Sequence, residues 1–320
     1  MMRVANRPWT AWMRFWFEPV PAANLAISRI LFFGLLWALY LPYDYRGWGD
    51  VAPALRQPIW LFEDLHLPFL SSGALGVLQA IWKVSLFTSC IGLLSPVSML
   101  VAAALGVYLL GLPHNFGQTY HFDTMIAIAI GILACSRAGD VMSIDAIVAR
   151  WRGHARRTIA SGEYLWPAQL ICVGVSLVFF AAGLAKIWTS GSEWFQSDHM
   201  AILLDRVQYH ISDADPLVNW GSAIARIPWA ANLLALTTVA VETAYPIALF
   251  SRRLRIPLVL AGAGLLIGIR MLMGPTFEQF LFLNVFWVRW DRVAALVPAR
   301  FRAGCPVGGS AVAGMAGERS

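Results

Sequence analysis

One apolar run constrains this chain more than any other feature. From Leu165 the sequence reads LWPAQLICVGVSLVFFAAGLAKIW and continues to Trp194, with a single lysine, Lys186, near its far end. About 20 apolar residues rising roughly 1.5 Å each cross a bilayer core, so the run predicts a membrane-spanning helix. A charge at mid-membrane costs roughly 2.5 to 3.5 kcal/mol on insertion scales, and residues that carry one face a bundle interior, a partner or water. Lys186 is therefore expected to look into a cavity that other helices surround. Snorkelling to the interface is the alternative use of a lysine near a helix end.

The rest of the chain agrees with a polytopic membrane protein. Of its 320 residues 58% are hydrophobic and 13% charged, the latter about half the share usual in a soluble domain. The 15 tryptophans suit interfacial belts. A net charge of +6 does not signal nucleic acid, because the arginines gather in a few loops rather than along one basic face. Cys90, Cys135, Cys172 and Cys305 are scattered without a CxxC pair, so neither a disulfide framework nor a metal site is expected. No short apolar segment ends in a small-residue cleavage site near the N-terminus, so a removable signal peptide is not expected.

Taken in order, the sequence predicts an all-α bundle of about eight spans. Residues 1–20 interleave Arg3, Arg7 and Arg14 with Trp9, Trp12, Trp16 and Phe17, the pattern of an amphipathic helix on the membrane surface or of a plain flank to the first span. Residues 21–295 form the transmembrane domain. Its spans are Pro21 to Leu41, Ser72 to Leu94, Val97 to Leu112, His121 to Cys135, the Lys186 run, Ala230 to Phe250 with Pro246 bending it, Ile256 to Met273, and a shorter Phe277 to about Val288. The connection from Thr189 to Pro228 reads as a long polar loop. Residues 296–320 form a Gly, Ala and Ser tail expected to be disordered. With both termini cytoplasmic, the basic loops 137–162, 251–255 and 289–302 all fall inside, and the loops 42–70, 113–120 and 189–228, where carboxylates and histidines gather, fall outside. That agreement fixes one orientation for a multi-pass protein of the plasma (inner) membrane.

The orientation sorts the intramembrane polar groups by depth. Lys186, His121, Asp123, His114, Asn115, Arg270 and Glu278 come near the outward ends of their spans. Arg29, Lys83 and Glu242 come nearer the middle or inner half, and opposite charges in lipid are expected to pair, Glu242 with Arg29 or Lys83. A lysine, histidines, carboxylates and an amide together suit general acid and base chemistry. Each also has a structural use. His121 and Asp123 open a helix that Asp can cap, His114 and Asn115 sit in a solvated turn, and Arg270 and Glu278 flank the Gly274-Pro275 turn.

The run Val178-Phe179-Phe180-Ala181-Ala182-Gly183-Leu184-Ala185-Lys186-Ile187, followed by Trp194, resembles the signature of the vitamin K-dependent gamma-carboxylase-like membrane proteins, the horizontally transferred transmembrane (HTTM) domain family. Three further features lie in matching order: Tyr120-His121-Phe122-Asp123 leading to Gly139-Asp140-Val141-Met142-Ser143-Ile144-Asp145, Arg29 behind an aromatic flank, and Met273-Gly274 with aromatics after it. The resemblance covers roughly residues 10 to 295. It implies reduced vitamin K or menaquinone as cofactor, Lys186 as the base that deprotonates it, and His121 as the neighbour that holds or polarises the quinone. Asp123, His114, Asn115, Arg270 and Glu278 would line the quinone site. In the carboxylase, the quinol anion reacts with oxygen to give an epoxide and a base that removes a glutamate γ-proton before carbon dioxide adds.

Two departures bear on how far this carries. The seventh span holds Leu266 where family members often have a histidine, and no large extramembrane domain follows the spans. A smaller quinol-dependent reaction is one expectation. The other is a non-enzymatic membrane protein that binds a lipid or a secreted peptide and assists its maturation or export. A transporter, with Arg29, Lys83 and Glu242 as a relay, has only those charges behind it.

Overall fold

The computed structural model describes residues 7–117, 121–154, 159–208, 220–275 and 277–296. Of the expected tail, 296–320, all but Leu296 falls outside them. Helix α1 (Arg7–Phe17) precedes α2 (Ala22–Tyr40). Two 3-10 turns and the short α3 (Trp60–Asp64) lead to α4 (Ser72–Ile91), α5 (Ser95–Gly111) and α6 (His121–Ala134). After α7 (Ile144–Trp151) come α8 (Trp166–Ser190), α9 (Ser197–Gln208), α10 (Gly221–Ala225) and α11 (Pro228–Ala244). The chain continues through α12 (Ile247–Phe250), α13 (Arg255–Met273), α14 (Glu278–Phe282) and α15 (Trp290–Leu296). Extended pairing among the described residues is confined to one bridge, Val20 to Ser161.

Five stretches are long and apolar enough to cross a membrane: Ala22–Tyr40, Ser72–Ile91, Ser95–Asn115, Gly162–Phe195 and Arg255–Met273. The other three expected spans are short or broken. α6 has 14 residues. The stretch expected to cross between 230 and 250 divides into α11 and α12 at Tyr245-Pro246, where proline supplies no N–H for the ladder. The last is a turn of α-helix, α14, followed by a 3-10 segment, Leu283–Trp287.

α8 shows why these helices form a bundle with a lipid-type exterior. Pro167, Ile171, Cys172, Val175, Ser176, Phe179 and Gly183 are its buried positions, one stripe at helical spacing. Leu177, Phe180, Leu184 and Trp188 are exposed on other faces, Trp188 by 91%. Val77, Ile81, Val84 and Phe87 do the same on α4, and Leu233 and Leu236 on α11. Apolar surface of this extent is costly in water and at home against acyl chains.

The basic segments collect at one end. Phe15 of α1 stacks on Phe250 at 5.6 Å, Arg252 reaches Glu18, Tyr164 donates to Asp140, and the Asp291 amide donates to Asn24 at the start of α2. At the opposite end α9, α10 and the first turns of α11 make a separate small core around Met200, Leu204, Ala231 and Ala235. The connection 189–228 is thus partly helical rather than a plain loop, because Met200 and Leu204, one turn apart, give α9 an apolar face to bury.

Candidate functional site

α8 and α11 run side by side, and Gly183 sets how closely. A Cβ there would lie 2.8 Å from Thr243 Cγ2 and 3.0 Å from Glu242 Cβ, so only glycine lets α11 come this near. One turn further along α8 is Lys186, and its amine meets Glu242 at 2.8 Å from Oε1 and 2.7 Å from Oε2. The Glu242 side chain is 6% exposed and that of Lys186 22%. The Trp194 ring lies beside the amine, 5.4 Å from centroid to Nζ, while its indole N–H donates to Ala235 O at 3.3 Å. Lys186 therefore does not snorkel free: it is held in an ion pair walled by an aromatic ring.

This pairing corrects the expectation that Glu242 neutralises Arg29 or Lys83. Trp194, beyond the end of α8, is level with Ala235, so α11 starts further out than α8 ends. That register lifts Glu242 to the depth of Lys186. Lys83 instead donates to Leu41 O at 3.0 Å and Tyr43 O at 2.7 Å, closing the carbonyl end of α2.

Arg29, fully buried, donates from Nη2 to Met142 O at 2.7 Å. Around it two turns interlock. Ser143 caps α7 by accepting from Ala146 N and donates to Gly139 O. Asp145 accepts from Leu94 N at 2.8 Å and Ser95 N at 2.6 Å, the first amides of α5. Burial opposes the Asp145 charge, but these amides and Arg29 outweigh it and hold the carboxyl below its usual range. The Ser-Ile-Asp block is therefore a structural knot at the basic end.

A second polar cluster lies between α2, α6, α14 and the turn after α5. His114 Nε2 is 3.2 Å from Asp123 Oδ2, Tyr40 donates to Asp123 Oδ1 at 3.3 Å, and Gln279 Nε2 donates to the Tyr40 oxygen at 3.3 Å. Tyr40 and Gln279 belong to this cluster but carry no charge, so nothing in the pattern of titratable residues singled them out. Asn115 has a different task. Its Oδ1 accepts from Ile59 N at 2.9 Å, and its amide donates to Gly111 O and Leu112 O, which pins the 53–60 segment onto the end of α5. Arg270 donates to Gly274 O at 2.7 Å, at the end of α13, and Glu278 opens α14.

His121 begins α6, but its side chain lies outside the described residues. On α8 the position against α6 is Gly174, in contact with Met125, whereas Gly183 faces α11. At 100° per residue those two positions point to roughly opposite sides of the helix, and none of the described contacts joins Lys186 to His114 or Asp123. Among the described contacts the polar groups therefore fall in two sets, Lys186 with Glu242 and His114 with Asp123, Tyr40 and Gln279. Among the described residues no group of three or more His, Cys, Asp or Glu side chains is placed to hold a metal ion.

No protein family, no curated protein and no solved structure matches this chain.

Proposed function

We propose that this chain is a multi-pass membrane enzyme of the quinol-dependent, carboxylase-like kind, with the Lys186–Glu242 pair as its proton-transfer unit. One observation carries the reading: an amine in an apolar helix, held 2.7 Å and 2.8 Å from both oxygens of a buried carboxylate. The donors suit a hydroxyl on an apolar ring. A cation and a carboxylate sit within hydrogen-bonding reach, the Trp194 ring stands beside the amine, and exposed Leu184 and Trp188 lie on neighbouring faces of the helix.

A dry site resists net charge, and the pair avoids creating any. Glu242 would take up the hydroxyl proton of a quinol bound beside it, and the Lys186 ammonium would balance the negative charge left on the ring, so that the net charge of the site stays at zero. The quinol, reduced vitamin K or menaquinone, supplies the electrons when dioxygen reacts.

The same reading takes α6, α11–α12 and the 277–288 stretch as completing eight crossings, with both termini cytoplasmic in a plasma (inner) membrane. The gathering of the arginine-rich turns at one end supports it.

The purified protein in nanodiscs, given vitamin K hydroquinone and oxygen, is expected to form the epoxide by mass spectrometry, and Lys186→Met and Glu242→Gln to form none. Equal product from both variants would remove the pair from the reaction. A second reading, a non-enzymatic binder of lipid or a secreted peptide, is favoured by the completeness of the ion pair, which already satisfies both partners. Absence of epoxide from the wild type would leave that reading standing.

A further inference from the structure

At the basic end, α1 leaves one face uncovered. Phe15 is fixed by its stack on Phe250, and the chain beyond α1 is fixed by the Val20–Ser161 bridge. Trp9, Trp12, Met13 and Phe17 remain exposed, Trp9 by 61% and Trp12 by 55%. Their spacing of three and four residues puts them on one stripe of the helix. Beside that stripe a groove of about 440 Å³ runs between α1 and the turn before α13, lined by Met13, Arg14, Phe17, Glu18, Pro19 and Arg252.

The lining has two chemistries in one place. Met13, Phe17 and Pro19 are apolar, while Arg14 and Arg252 bring two guanidinium groups against a single carboxylate, Glu18. That carboxylate is joined to Arg252 only at 3.4 Å and in the open, where such a pair is worth little. Arg253 follows Arg252 in the same turn.

We propose that this groove is a binding site for one anionic phospholipid, its phosphate between Arg14 and Arg252 and its acyl chains along Met13 and Phe17. Charge complementarity selects the occupant. Two guanidiniums fit a phosphate, and an adjoining apolar stripe on a surface-lying helix fits acyl chains at the same depth. A zwitterionic lipid offers the same phosphate but carries its own cation into a basic groove. The site is independent of the Lys186–Glu242 pair, which lies elsewhere in the bundle.

The test is native mass spectrometry of the full chain in detergent micelles, titrated with phosphatidylglycerol and, separately, phosphatidylcholine. Wild-type protein is expected to retain one phosphatidylglycerol in preference to phosphatidylcholine. Arg14→Gln/Arg252→Gln should weaken that retention about thirtyfold, from the usual contribution of basic residues near anionic lipid, and Arg14→Lys/Arg252→Lys should restore most of it. Met13→Gln/Phe17→Gln should weaken phosphatidylglycerol without conferring a preference for phosphatidylcholine. Equal retention of the two lipids, an unchanged double glutamine variant, or displacement by millimolar inorganic phosphate would each overturn the proposal. An effect confined to one lipid and two arginines is not mimicked by misfolding, because the lysine variant also removes both guanidinium groups but keeps the charge.

Discussion

Breaking the Lys186–Glu242 pair from one side should be far worse than removing it altogether. Lys186→Met leaves the Glu242 carboxylate, 6% exposed, without its cation. Two unit charges about 4 Å apart at an effective dielectric of 20 attract by about 4 kcal/mol, and removing one partner of a buried pair costs roughly 3–5 kcal/mol. Because Lys186 is 22% exposed, the lower end of that range is expected. In the double variant Lys186→Met/Glu242→Leu two apolar side chains replace the pair, and such replacements are often neutral or better. Reversible unfolding of the wild type, both single variants and the double variant in mixed micelles gives the coupling energy directly. Each single variant should cost about 3 kcal/mol and the double variant should lie close to wild type, which makes the coupling about 6 kcal/mol. Single variants that each cost under about 0.5 kcal/mol, and that add, would refute the pairing as a buried interaction.

Two further predictions follow from neighbouring geometry. Gly183→Val puts a branched side chain where even a Cβ lies 2.8 Å from Thr243 Cγ2, so it should cost about 1–3 kcal/mol and lower the thermal midpoint in detergent, while Gly268→Ala, with open space at its Cβ position, should not. Asp145, held below its usual range, stabilises the fold above the ordinary carboxylate value near pH 4 and loses that contribution as pH falls through its folded value. Asp145→Asn keeps only one of the two oxygens that accept from Leu94 N and Ser95 N, so it should cost about 1–2 kcal/mol at neutral pH and flatten the acid limb of a stability profile; an unchanged profile would mean that the α5 amides do not depend on that charge.

The helices themselves were legible because lipid-crossing segments announce themselves as long apolar runs, and five of the expected spans are long enough as helices. Lys186 was legible too, since a lone lysine in such a run needs a partner. Its partner was not. Depth counted along the sequence puts Glu242 in the middle or inner half, and only the register of α11, which starts beyond the end of α8, brings it level with Lys186. Asn115, Lys83, Arg29 and Arg270 bond backbone oxygens or amides, which leave no mark in a sequence, so Arg29 and Lys83 read as ion-pair partners, and Asn115 and Arg270 as either quinone-site or turn residues, where the structure has all four fasten turns. The helical part of 189–228 had a usable signal in Met200 and Leu204, outweighed there by the polar composition around them.

In the proposed reaction the Lys186–Glu242 pair takes a proton from a quinol without changing the charge of the site. Anaerobic mixing of the nanodisc-embedded protein with vitamin K hydroquinone, followed by absorbance, measures that step without oxygen chemistry. A larger share of the bound quinol should be ionised with wild-type protein than with Glu242→Gln. Ionised quinol at wild-type level in Glu242→Gln, or only neutral quinol bound to the wild type, would contradict the account.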